Sequence, residues 1–117
     1  MGNPVVHFEI CVKDMEKAHE FYGQLFDWEL KKDAMEDYTI IEVGEGGGIG
    51  GGIMKAEEGK FPPYVAFYVS VDDLEASVKK AEELGATIIV PPTPIPNVGR
   101  FAMFNDLDGN MIGLWSK

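Results

Sequence analysis

The chain repeats itself at a spacing of 59 residues. Val12-Lys13-Asp14-Met15-Glu16 is answered by Val71-Asp72-Asp73-Leu74-Glu75, and Leu25 is answered by Leu84. Each match has the same setting: an alternating strand, an acidic helix start, an amphipathic helix and a further strand. A doubled supersecondary unit leaves few folds open, and concave space between two facing copies is a natural ligand site. Polar residues that one copy directs into that space should have counterparts in the other. Here they mostly do not.

The periodicities place the elements. Val5 to Val12 alternates, with Val6, Phe8, Ile10 and Val12 on one face and His7, Glu9 and Cys11 on the other. Asp14 is a suitable N-cap, and Met15, Ala18, Phe21, Tyr22, Leu25 and Phe26 follow at helical spacing. The first face should pack under this helix while His7, Glu9 and Cys11 look the other way. Residues 28–32, 38–43 and 49–54 supply three short strands, the last rich in glycine. Gly59-Lys60-Phe61-Pro62-Pro63 reads as a linker.

Residues 64–71 then repeat the opening strand, with Val65, Phe67, Val69 and Val71 toward a helix and Tyr64, Ala66, Tyr68 and Ser70 away from it. Asp72 or Asp73 caps a helix that Gly85 stops. Thr87 to Val90 is strand-like, Pro91 to Pro96 reads as an irregular loop, and a last hairpin turns at Asp108-Gly109-Asn110. The expected fold class is α+β: two βαβββ modules, 1–58 and 61–117, in one domain of 117 residues. Their curved mixed sheets would surround a cavity, with the helices outside.

Composition narrows the function classes. Twenty acidic residues against ten basic ones leave a net charge of −10, which disfavours nucleic acid or an anionic membrane as partner. Cys11 is the single cysteine, so no internal disulfide and no thiolate zinc site are expected. With no signal sequence and no membrane span in view, the expected location is cytoplasmic. Gly46, Gly48 and Gly51 meet the spacing of a dinucleotide loop, but Gly59 and Pro62 leave no room for the helix such a loop requires.

The pattern resembles the vicinal oxygen chelate superfamily of glyoxalase I, bleomycin-resistance proteins and extradiol dioxygenases. The likeness is carried by the stretch from His7 to Asp14, by Phe21-Tyr22, Trp28, the stretch from Val71 to Glu75, and Leu84-Gly85-Ala86. Phe104-Asn105-Asp106-Leu107-Asp108-Gly109-Asn110 looks like the family's closing Asp-Pro-Asp-Gly-Asn turn with leucine for proline. The glycines from Gly46 to Gly52 and the run from Ile95 to Arg100 are similar to a glyoxalase-like branch. The resemblance implies a homodimer and, in many members, a divalent ion held by His, Glu or Gln at four positions.

Carried over residue by residue, those positions are mostly empty of donors. His7 stands seven residues before Asp14, where the first ligand belongs, but seven residues before Asp73 is Ala66. Asp-Gly-Asn-x-x-Glu would close the family's last strand, whereas Asn110-Met111-Ile112 leads here to Gly113. The remaining position falls within Gly50 to Met54, which holds no carboxylate, amide or imidazole. Fewer than three protein donors do not hold a metal tightly. The expectation is therefore no metal ligand set and no cofactor, with a pocket widened at Gly50–Gly52, Ala66 and Gly113.

His7 and Glu9 are the candidate catalytic pair, an imidazole beside a carboxylate on one strand face. They are equally a hydrogen-bonding wall, and could hold a weakly bound ion at most. Tyr64, Tyr68, Trp28 and Trp115 are the candidate aromatic contacts for a small, planar or apolar ligand. Arg100 either clamps a ligand carboxylate or pairs with a surface acid, and the acidic composition favours the second. Cys11 reads as a small buried hydrophobe and His19 as exposed on the polar side of its helix. The leading functional expectation is a small-molecule-binding protein with a metal-free cavity; the alternative is a lyase or isomerase using His7 and Glu9.

Overall fold

The computed structural model describes residues 2–32, 37–44, 46–57, 59 and 62–117. Among the described residues the elements follow in the order β1 (Val5–Val12), α1 (Met15–Phe26), β2 (Glu29–Lys32), β3 (Tyr38–Glu42), β4 (Gly51–Lys55), β5 (Tyr64–Ser70), α2 (Leu74–Glu83), β6 (Thr87–Ile95), β7 (Gly99–Asn105) and β8 (Met111–Ser116). The chain is α+β and consists of two βαβββ modules. It divides into two compact units: a first, His7–Val65, and a second of Met1–Val6 with Ala66–Lys117. Of the linker expected over 59–63, Lys60 and Phe61 lie outside the described residues, as do Met1, Glu58 and Phe61 at the expected module bounds.

The 59-residue repeat reappears as geometry. Asp14 accepts a hydrogen bond from the Lys17 amide at 3.1 Å, and Asp73 accepts from the Ala76 amide at 3.0 Å. Each cap satisfies one amide of its helix start, a contribution of about 1 kcal/mol. Strand order also matches: β2-β3-β4-β1 in the first module and β5-β8-β7-β6 in the second. In each, the opening strand runs parallel to the closing one (β1 with β4, β5 with β8) and the other pairings are antiparallel.

In the first unit Ala18 of α1 packs on Ile41 and Ile53, with Phe8, Val12, Tyr22, Trp28 and Leu30 around them. In the second, Leu74 and Val78 of α2 pack on Val71, Ala102 and Leu114. The expected helix-facing set of β5 is only half covered. Val71 is buried, while Phe67 is 41% and Val65 73% exposed.

Two expectations needed correction. Pro91, Pro92 and Pro94 lie within β6, which continues to Ile95 against β7. An edge strand tolerates proline because its outward amides have no ladder partner to lose. Register shifts between Ile88 and Val90 and between Val90 and Thr93 absorb the irregularity. His19 is not simply exposed: its Nε2 is hydrogen-bonded to Thr39 Oγ1 at 2.8 Å, which ties α1 to β3. Among the described residues no helix is long and apolar enough to cross a membrane.

Candidate functional site

On the face of the first unit away from α1, β1 carries a row of polar side chains. Glu9 is 4% exposed, and its Oε2 accepts a hydrogen bond from the Tyr64 hydroxyl at 2.6 Å. Two residues earlier on the same face, His7 Nε2 is hydrogen-bonded to the Tyr38 hydroxyl at 2.8 Å. Cys11, 2% exposed, continues the row. Alternation along β1 puts all three side chains on one side, as the period of two requires.

The electrostatics follow from burial. Burial lowers the pKa of His7 from its ordinary 6.5, so the imidazole is neutral at neutral pH. Tyr64 is pushed far above its ordinary value of 10, first by burial and then by the negative charge and hydrogen bond of Glu9. It is a fixed hydroxyl donor to that carboxyl and not a base. Burial and the nearby Glu9 also raise Cys11, against a lowering by a backbone hydrogen bond from Tyr64. The thiol stays protonated and is a poor nucleophile.

The small residues expected to widen a pocket have another use. A Cβ built on Gly52 would fall on the Tyr38 hydroxyl and ring. Gly52 thus lets Tyr38 lie across β4 and reach His7. In the second unit a Cβ on Gly113 would fall on the ring of Tyr68. Tyr68 is 7% exposed, with its hydroxyl 3.7 Å from Met103 Sδ and its ring edge-on to Phe101 at 6.5 Å. The expectation of open space at Gly52 and Gly113 is therefore corrected: tyrosine rings occupy it.

The other candidates separate. Trp28 is on the helix side, with ring centroids 4.8 Å from Phe26, 5.5 Å from Phe8 and 5.7 Å from Tyr22. That is a core plug, away from the His7 face. Arg100 forms a two-pronged ion pair with Glu75 in the first turn of α2, through Nη1 at 2.9 Å and through Nη2. It shares the helix side of β7 with Ala102, so it belongs to a helix-to-strand tie. Trp115 sits opposite Phe101 in the β7–β8 ladder, on the Tyr68 side of the second unit. Tyr38 was missed from sequence. Its one signal was Gly52, since a glycine within a strand marks a close approach by something.

A divalent ion, which the fold family implies, finds a poor donor set here. No group of three or more His, Cys, Asp or Glu side chains converges among the described residues. Ala66, Gly52 and Gly113 offer no ligand atom, and Tyr38 already engages the His7 nitrogen. The residues present do not fit a three-donor centre in either unit taken by itself.

Residues 5–114 match the model of the Glyoxalase/Bleomycin resistance protein/Dioxygenase superfamily, and the chain belongs to that family. It is 34% identical over 76 residues to a protein of Mycobacterium tuberculosis named, provisionally, as the glyoxylase CFP32. That match covers 65% of this chain, and the chain spans only 28% of the relative's length. A glyoxylase-like domain-containing protein of Didymella fabae is 30% identical over 110 residues, covering 87% of this chain and 84% of its own. Among solved structures, the hypothetical protein BH1468 from Bacillus halodurans C-125 superposes with a TM-score of 0.71 at 16% identity. That alignment covers 100% of this chain and 96% of the other. At that identity it shows a shared fold.

Proposed function

We propose that this glyoxalase-like protein binds a small aromatic or apolar molecule carrying a hydrogen-bonding group, without a metal, at the His7–Glu9 face of the first unit. The observation that carries the proposal is the Glu9–Tyr64 pair at 2.6 Å beside the His7–Tyr38 pair at 2.8 Å. Burying such groups costs stability unless each is satisfied, so a protein that keeps two pairs on one strand face uses them as fixed donors and acceptors. The absence of ligand atoms at Ala66, Gly52 and Gly113 supports the metal-free part of the proposal. In the second unit, Tyr68 and Trp115 would make apolar contacts on its own helix-free face. A homodimer is part of the proposal, and light scattering on the purified chain tests it.

The test is a ligand-observed NMR screen of small aromatic and carboxylate compounds, repeated on Glu9→Gln and Tyr64→Phe. Expected are hits that weaken roughly tenfold when a hydrogen bond of the buried pair is removed. Hits indifferent to both variants, or no hits, would remove the proposal. A second reading has one specific support: a neutral, half-buried imidazole with a carboxyl two residues on can accept a proton from a substrate. Under that reading the protein is a lyase or isomerase, and His7→Ala lowers turnover by orders of magnitude with little change in ligand affinity. Under the binding reading affinity changes modestly and there is no turnover to lose.

A further inference from the structure

The bond between Tyr38 and His7 has a direction, and that direction decides what His7 can recognise. A neutral imidazole keeps a proton on one ring nitrogen and a lone pair on the other. Burial favours that neutral form of His7. Its Nε2 lies 2.8 Å from the Tyr38 hydroxyl, so that nitrogen either accepts from the phenol or donates to it. An imidazole nitrogen is a far stronger base than a phenol oxygen, and a phenol is a stronger acid than a neutral imidazole N–H. The favoured arrangement has the Tyr38 hydroxyl donating to Nε2, which leaves the imidazole proton on Nδ1.

The first unit holds that donor in place. Tyr38 opens β3 opposite Met54 of β4, and its ring crosses Gly52 on the way to His7. A Cβ at Gly52 would strike the hydroxyl and the ring, so a glycine is what leaves this path open. Gly52 in turn stands beside Glu9 in the parallel β1–β4 ladder, which sets the ring against the strand that carries His7. Charge narrows the ligand further. Glu9, on the same strand face and 4% exposed, accepts from the Tyr64 hydroxyl at 2.6 Å. An anion entering beside that carboxylate meets a repulsion that little water screens.

We propose that Tyr38 is a positioning residue that holds His7 as the Nδ1–H tautomer, and that this face therefore recognises a neutral ligand through a carbonyl-type acceptor oxygen. The ligand class rests on the binding function proposed above, whereas the tautomer does not. With Nε2 engaged by Tyr38, His7 offers only a donor to any other group. The same bond occupies the lone pair that a general base would use. His7 takes a proton from a substrate at Nε2 only after Tyr38 leaves it.

The experiment records long-range proton–nitrogen NMR correlations of the imidazoles in the whole chain at neutral pH, on the native protein, Tyr38→Phe and Gly52→Ala. His19→Gln assigns the other histidine. The native His7 ring should show Nδ1 protonated and Nε2 bare. Both variants should move it toward a mixture of tautomers, and Tyr38→Phe, which keeps the ring, decides the matter if Gly52→Ala does not fold. A proton on Nε2 in the native protein, or a pattern unchanged in Tyr38→Phe, would overturn the tautomer and the ligand class drawn from it. The native chain is then titrated with acetophenone, benzoate and benzylamine, of which acetophenone should bind roughly tenfold more tightly than either ion. Tighter binding of benzoate or benzylamine would overturn the acceptor preference while the binding function stands. No binding of any of the three would remove that function and the ligand class with it.

Discussion

The two units solve one packing problem with opposite materials. Each has a strand face turned from its helix, and each has a glycine on the closing strand that a tyrosine ring crosses. In the first unit the glycine is Gly52 and the ring Tyr38, whose hydroxyl goes on to His7. In the second the glycine is Gly113 and the ring Tyr68, whose hydroxyl donates to Met103 Sδ at 3.7 Å. The opening strands differ in the same sense. β1 offers His7 and Glu9, while the matching positions of β5 are Ala66 and Tyr68. Chemistry is concentrated in one copy, and the other keeps the architecture with apolar packing. On the helix side the first unit packs the rings of Tyr22, Phe26 and Trp28 where the second has Ala81, Gly85 and Thr87.

The sharpest way to break this comparison is to remove the ring plug. Trp28→Ala should cost about 3 kcal/mol or more in a denaturant melt, because a cavity opens among Phe8, Tyr22 and Phe26. Thr87→Ala, at the matching position, should stay within about 0.5 kcal/mol, being exposed. Equal losses would show that the two helix sides are not packed differently. The glycines come next. Gly113→Ala should cost about 1–3 kcal/mol, since the buried Tyr68 ring has nowhere to move. Gly52→Ala should cost less, because half-buried Tyr38 can swing outward, but it should also separate Tyr38 from His7. The imidazole resonances of His7 would report that separation. A larger loss for Gly52→Ala than for Gly113→Ala would invert the ranking.

Titration sharpens the same contrast. Burial holds His7 below its ordinary pKa of 6.5, so the unfolded chain takes up a proton that the folded one resists. The stability tied to this group is present above pH 6.5 and is lost as the pH falls below it. Melting curves of the native chain minus those of His7→Asn should show that loss between pH 7 and pH 5. An NMR midpoint for His7 at or above 6.5 would contradict it. The smallest effect concerns the helix ends. α1 ends on Asp27 at φ 57°, whereas α2 is followed by Gly85 at φ 105°. Asp27→Gly should gain a few tenths of a kcal/mol by relieving the left-handed residue, and Gly85→Ala should lose more than that. A melt that moves the other way for Asp27→Gly would mean that the aspartate side chain holds the helix end.

Much of the fold was legible because it rests on local periodicity. The alternation of β1, the caps Asp14 and Asp73, and the turn at Asp108-Gly109-Asn110 are short-range signals, and the 59-residue repeat ties them together. What stayed hidden depends on register between distant strands. That Tyr38 crosses Gly52 follows from Ile40 pairing with Gly52 and Tyr38 with Met54, which no single strand records. The same holds for Tyr64 and Glu9, which meet across 55 residues. Polarity at His7 and Glu9 could be read from β1 alone, but their partners could not. Trp28 is a ligand candidate by residue type alone and packs instead under α1, whereas Arg100 makes the pairing with a surface acid that the acidic composition favours. The prolines of β6 deceived for a different reason: their effect depends on whether a strand lies at an edge, which topology decides.

The proposal that the first unit's polar face binds through hydrogen bonds and needs no ion is tested most directly by metal content of the chain purified without chelator, with melting temperatures recorded against nickel, zinc, manganese and iron. Expected are substoichiometric metal and no saturable rise in melting temperature for any of the four. One equivalent of bound metal per chain, or a saturable rise that disappears in His7→Ala, would contradict it and make His7 a ligand.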